Sequence, residues 1–200
     1  MTGLVPLEVA FYARRALVVA EALLGKVLVT TGPEGITAGR IVETEAYEGP
    51  ADLAAHSAGG RRTRRTEVMF GPPGRAYVYL LYGTSWAFNV VTSEPDVPHA
   101  VLVRAVEPVL GHDLMAKRRR MVQTRRELTN GPGKLCQALG LSREHYGASL
   151  AGDAVFIADG PAGPTGQSAR INIDYAGEWA KRPWRFYERG NRYVSVQPRS

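Results

Sequence analysis

Ile36-Thr37-Ala38-Gly39-Arg40-Ile41-Val42-Glu43-Thr44-Glu45-Ala46-Tyr47 is rich in β-branched and small residues and reads as a strand. Side chains alternate faces along a strand, so Glu43, Glu45 and Tyr47 share one face. Val42, Thr44 and Ala46 fall on the other, where they can pack into a core. Isolated buried carboxylates are costly, and a clustered pair can raise one pKa toward the range useful for a general base. A solvent-facing edge strand is the plain alternative for the same pattern.

Outward from this strand, the chain reads as one α+β domain spanning residues 1–200 and built on a largely antiparallel sheet. Residues 6–24 read as a helix, with Leu17, Ala20 and Leu24 at helical spacing and Gly25 as its stop. A short strand at 26–30 and the turn Gly32-Pro33-Glu34-Gly35 lead into the glutamate strand. Residues 49–74 form a long connection rich in arginine, glycine and proline, a length that usually marks function or disorder. Strands follow at 76–81, 88–92 and 100–106, then a basic helix at 110–128 and a second helix at 133–139. Short strands are expected at 155–158, 170–173 and 193–196.

Two hundred residues with 44% hydrophobic content suffice for a real core. The apolar run 16–24 is interrupted by Glu21 and is too short to cross a bilayer, and no signal peptide is evident. Cys136 is the sole cysteine, which excludes an intramolecular disulfide and a cysteine-based zinc site. An intracellular location is therefore expected, without membrane association.

The net charge of +6 is carried mostly by arginine, against only Lys26, Lys117, Lys134 and Lys181. Arg61, Arg62, Arg64 and Arg65 form one cluster; Lys117 to Arg120 with Arg125 and Arg126 form another. Guanidinium forks suit bidentate contact with phosphate, and each neutralised phosphate releases counterions. Nucleic acid is the partner this pattern points to, with a solvated basic face as the alternative.

Several residues do more than packing asks of them. Tyr77, Tyr79 and Tyr82 crowd one segment, and Tyr82-Gly83 marks a hairpin tip, where an exposed aromatic suits stacking on or wedging between bases. Arg104 interrupts an apolar strand and needs a partner, either an acid or an anion in a pocket. Asn89, inside another apolar strand, offers an amide able to read a heterocycle edge. Each alone is commonly a satisfied structural group; together with Glu45 they suggest a shared cavity. Asn130-Gly131-Pro132-Gly133-Lys134-Leu135 lacks Walker A spacing, yet its helix start can hold a phosphate on backbone N–H groups. His56, His99, His112 and His145 show no metal-ligand spacing.

These segments resemble the alkyladenine (3-methyladenine) DNA glycosylase family. The resemblance runs from the first helix to Tyr193-Val194-Ser195. It is most specific in Ile41 to Tyr47, Gly49-Pro50, Asp52 and His56-Ser57. Met69-Phe70, Tyr77-Val78-Tyr79, Tyr82-Gly83, Asn130 to Leu139 and Trp184-Arg185-Phe186-Tyr187 carry the rest. It implies a single mixed domain around a curved, open-barrel-like antiparallel sheet with flanking helices, working as a monomer without metal or organic cofactor. It further implies that Glu45 activates the water that attacks the sugar C1′ and that Arg104 helps hold that water and a nearby phosphate. Tyr47, His56 and Tyr79 would sandwich the flipped base, Asn89 would screen against the guanine amino group, and Tyr82 would fill the gap in the duplex. Arg61, Arg62, Arg64, Arg65 and Lys134 are the expected backbone contacts. One departure is the hairpin tip Thr84-Ser85-Trp86-Ala87, where relatives usually carry a methionine and other bulky residues.

The expected partner is thus duplex DNA containing damaged purines, and the expected product an abasic site without strand cleavage. No lysine lies among the clustered pocket candidates, which favours water over an amine as nucleophile. Two rivals use the same residues: a metal-dependent nuclease with Glu43, Glu45, Asp52 and His56 as ligands, and a non-catalytic nucleic-acid-binding module.

Overall fold

A computed structural model describes residues 3–81, 83–120 and 126–197. The glutamate strand is its spine. It follows β1 (Val27–Gly32) and runs as β2 (Gly35–Glu48), the longest strand among the described residues. β3 (Ala76–Leu81), β4 (Ser85–Thr92) and β5 (His99–Leu110) add to one edge of β2. β1 and then β6 (Val155–Ala158) add to the other, giving the order β3-β4-β5-β2-β1-β6. β7 (Thr165–Ser168) pairs with β8 (Arg185–Glu188), and β8 pairs with β2 at Glu43, Thr44 and Glu45. All of these ladders are antiparallel and the sheet does not close, so the expected α+β, open architecture is the one found.

Helices cover one face. α1 (Val9–Tyr12), α2 (Ala16–Ala22), α3 (His112–Arg119) and α4 (Pro132–Leu139) contribute Tyr12, Val19, Met115 and Leu135 to a core shared with Ile41, Phe88, Val101 and Val103 of the sheet. Thr44 faces the same way and donates its hydroxyl to Ala20 O at 2.8 Å. The other face is left for polar chemistry. No helix among the described residues is long and apolar enough to cross a membrane.

Four departures from the expected pattern have physical causes. The helix expected at 6–24 is two, because Ser93 N–H donates to Tyr12 O (3.1 Å) and Arg14 O (3.0 Å) and diverts both carbonyls from a helical ladder. The basic helix ends at Arg119, with Arg120 in the left-handed region at φ 50°; residues 126–128 form a separate 3₁₀ turn, and Arg125 lies outside the described residues. Residues 170–173 and 193–196 are not strands. Ile171 N–H donates to Glu45 Oε1 (2.8 Å) and Ser195 N–H to Glu43 Oε2 (2.6 Å), so backbone donors go to buried carboxylates instead of a ladder.

The fourth departure concerns register. β2 and β5 slip past one another between Ile41 and Glu43 and again between Glu43 and Thr44, leaving Val42 extra on β2 and Arg104 extra on β5. Bulges of this kind break the alternation and re-aim side chains. Val42, expected in the core with Thr44 and Ala46, packs instead with Ala105, Tyr187, Tyr193 and Val194. Glu43, Glu45 and Tyr47 keep their common face, and the Arg104 guanidinium meets both carboxylates.

Candidate active site

Beside the Glu45 face of the sheet, and bordered also by the first turn of α4, lies a cavity of about 630 Å³, a volume suited to a small aromatic ligand. β2 supplies Tyr47, β3 supplies Tyr77 and Tyr79, β4 supplies Asn89, and β5 supplies Leu102 and Arg104. Neighbouring strands bring these residues together because their ladders pair Asn89 with both Tyr77 and Leu102, and Leu102 with Glu45.

Glu45 lies at the floor, fully buried behind the cavity-lining Tyr47 and Arg104. Its Oε2 accepts the Tyr47 hydroxyl at 2.7 Å. Its Oε1 accepts from Ile171 N–H at 2.8 Å and lies 3.3 Å from Arg104 Nη1. A carboxylate has about four acceptor positions, so three donors leave one for a water. Burial, followed by the neighbouring Glu45 charge, holds the Tyr47 phenol well above its ordinary pKa, so it stays a donor to that carboxylate. Burial opposes the charge on Arg104, but Glu45 and Glu43 together outweigh it and raise its pKa.

Glu43 has a different environment. It takes Arg185 Nε at 2.6 Å, Arg104 Nε at 3.2 Å, and both the backbone N–H and the hydroxyl of Ser195 at 2.6 and 2.8 Å. The two glutamates that period-two spacing could not tell apart are thereby separated. Glu43 ties β2 to β5, β8 and the segment after β8, whereas Glu45 adjoins the cavity.

The opposing wall is aromatic. His56 stands edge-on to Tyr79, ring centroids 4.6 Å apart, and Tyr79 lies 5.3 Å from Tyr77. The Arg65 guanidinium sits 4.7 Å over the Tyr79 ring and 2.8 Å from His56 Nε2. Arg65 Nη2 also lies 3.2 Å from Nδ1, which is 2.8 Å from the Tyr77 hydroxyl; since arginine only donates, these contacts favour the neutral imidazole. Burial first, then Arg65 and Arg61, pushes the His56 pKa down to about 4, which keeps the ring neutral near pH 7. Asn89 uses one amide N–H on Tyr77 O (3.1 Å), and its side chain borders the cavity.

The remaining expected residues divide. Lys134 lines the cavity from the first turn of α4 and donates to Asn130 Oδ1 at 2.9 Å. Arg61, Arg64 and Arg65 are exposed, and of these Arg65 lines the cavity. Arg62 is engaged with Glu67 (2.6 Å) and Asp96 (3.1 Å) and sits over Phe70. Tyr82 lies outside the described residues. Asp52, grouped at first with possible metal ligands, is buried in a two-pronged pair with Arg170 at 2.5 and 2.9 Å. Of the four residues of the nuclease alternative, Glu43 faces Arg104 and Arg185, Glu45 faces Arg104, Asp52 faces Arg170 and His56 faces Arg65.

Sequence reasoning missed the segment that closes the floor. Arg170 reaches Ala46 O at 2.9 Å and stacks 4.7 Å over the Tyr47 ring; Ile171, Asn172, Ile173 and Tyr175 line the cavity. The signal was present as an arginine heading an alternating Ile171-Asn172-Ile173, the same anomaly that flagged Arg104, but it was read as a strand.

The site thus joins a buried carboxylate to an aromatic cavity bordered by Arg65, Arg104 and Arg119. The model of the methylpurine-DNA glycosylase family matches residues 10–192. A protein of Anaeromyxobacter dehalogenans (strain 2CP-1 / ATCC BAA-258) is 51% identical over 196 residues, covering 94% of this chain and 85% of its own. One of Bacillus subtilis (strain 168) is 49% identical over 193 residues, covering 95% and 96%. One of Desulfitobacterium hafniense (strain Y51) is 46% identical over 196 residues, covering 94% and 97%. All three are provisionally named 3-methyladenine DNA glycosylase. The chain belongs to the methylpurine-DNA glycosylase family, and its activity is that of a DNA-repair glycosylase.

Proposed function

We propose that the chain, acting as one domain and as a monomer inside the cell, excises alkylated purines such as 3-methyladenine from duplex DNA by hydrolysis, without a lyase step. The observation that carries this reading is Glu45, buried under the cavity with three donors and one acceptor position left over. The damaged nucleotide leaves the stack at a cost of a few kcal/mol, least for a damaged base. Tyr47 on one side and His56 with Tyr79 on the other hold the extruded ring. A cationic purine is favoured there by the aromatic faces, and a neutral His56 adds no opposing charge.

Water bound to Glu45 then attacks C1′ as the bond from C1′ to the purine nitrogen breaks. The electron pair of that bond leaves with the base and cancels its positive charge, while the proton of the water passes to Glu45. Arg104, held by both glutamates, orients the carboxylate and faces the cavity where a phosphate can approach. Asn89 lies where the edge of a purine would be read. Arg61, Arg64, Arg65 and Lys134 contact the backbone, Arg62 supports them through Glu67 and Asp96, and Tyr82 occupies the vacated space in the duplex.

Water and an amine nucleophile give different products. Incubation with a duplex carrying an alkylated purine should yield an intact strand that breaks only on alkali treatment, in the presence of EDTA. Borohydride should trap no covalent enzyme–DNA adduct. Strand cleavage without alkali together with a trapped adduct would overturn the hydrolytic reading.

A further inference from the structure

The segment 170–176 serves both ends of the cavity. Its first residues make the floor: Arg170 is fixed by Asp52, and Ile171 N–H holds Glu45 at 2.8 Å. Asn172 then adopts a left-handed φ of 58°, turning the chain toward the rim. There Tyr175 borders the cavity while remaining 73% exposed.

That exposure does not come from a loose chain. Ile173 and Ala176, on either side, are 4% and 1% exposed and pack with Ala54, Tyr47 and Trp179. Ala176 N–H closes a turn onto Ile173 O at 2.9 Å. The backbone thus presents the Tyr175 ring outward from a fixed base. A tyrosine held in this way at a cavity offers a flat apolar ring with a polar tip, a form suited to stacking on a planar ligand. The Tyr175 hydroxyl reaches Ala54 O at 3.4 Å. The inner aromatics Tyr47, Tyr79 and Tyr77 are already committed to Glu45, Arg65 and His56. Among the described tyrosines that line this site, Tyr175 is the most exposed.

Resting on the function proposed above, we infer that Tyr175 is a specificity residue whose ring covers the outer edge of the extruded purine once that base fills the cavity. The contact exists only when a base is present. It favours flat, extended purine lesions over empty sites, and it sits on the same short segment whose other end holds Glu45.

The test uses the full chain carrying Glu45→Gln, so that a damaged duplex survives binding. Two duplexes are compared, one with ethenoadenine and one with an abasic-site analogue. Adding Tyr175→Ala should weaken binding of the ethenoadenine duplex by about 5- to 100-fold, the range for loss of one base–aromatic stack. Binding of the abasic analogue should not change, and Tyr175→Phe should keep the parent affinity for both. Unchanged ethenoadenine binding, equal loss on both duplexes, or a Phe variant as weak as Ala would each overturn the inference. Excision by Glu45→Gln at the parent rate would strike down the role of Glu45 instead. The ratio of kcat/KM between the parent protein and Tyr175→Ala would then still read the rim contact.

Discussion

His56 shows how one side chain's surroundings set its chemistry. Arg65 at Nε2 and the Tyr77 hydroxyl at Nδ1 fix a neutral ring, and burial takes its pKa from the ordinary 6.5 to about 4. Between those two values the unfolded chain binds a proton that the folded chain refuses, so stability rises with pH across that window. This contribution is complete above about 6.5 and is lost as pH falls toward about 4. His99, also lowered by burial, adds a slope of the same sign. Urea midpoints measured from pH 4 to 7.5 should rise with pH, and His56→Gln should flatten the rise; an unchanged slope in the variant would contradict this reading. None of it is visible in sequence, where His56 is one of four histidines without ligand spacing. The pairing with Tyr77 and Arg65 depends on chain folded from 9 to 21 residues away.

At the scale of elements, β2 is both the best-read and the most misleading stretch. Its extended character and its glutamate–tyrosine face follow from period two, and β3 and β6 fall at the expected bounds. The bulges at Val42 and Arg104 do not follow, because a bulge is set by the pairing of two strands far apart in sequence. β8 was hidden for the same reason. Arg185 and Glu188 give it no apolar alternation, yet both are buried because Glu43 and Arg40 partner them. Glu43 is the knot that joins β2, β5, β8 and Ser195. Glu43→Ala would leave Arg104 and Arg185 facing each other in a buried site without their shared anion, and loss of one member of such a group costs about 3–5 kcal/mol. The urea midpoint should fall accordingly. A variant with parent stability would mean the network is dispensable.

For the whole molecule, charge and shape divide the work. The core lies between the helices and one face of the sheet, while the cavity is bordered by the Tyr47, Tyr79 and Arg104 side chains together with Arg65 and Lys134. A polyanionic partner is legible from composition, but which arginines are available is not. Arg62 is bound to Glu67 and Asp96, and Lys117 and Arg118 share Glu34. Titrating salt against affinity for an undamaged duplex should therefore separate two classes. Arg64→Ala should reduce the slope of log K against log salt by about 0.9, the value for one phosphate contact, and Arg62→Ala by clearly less. Equal slopes for the two variants would place Arg62 on the phosphates as well.

In the proposed function, holding a damaged base and cutting it loose fall to different residues, with Glu45 making the cut. Single-turnover excision by Glu45→Gln on a duplex carrying an alkylated purine, measured beside its affinity for an abasic-site analogue, tests it most directly. The rate should fall by about 10²–10⁴-fold with affinity unchanged. Excision at the parent rate, or a loss of affinity that matches the loss of rate, would contradict it.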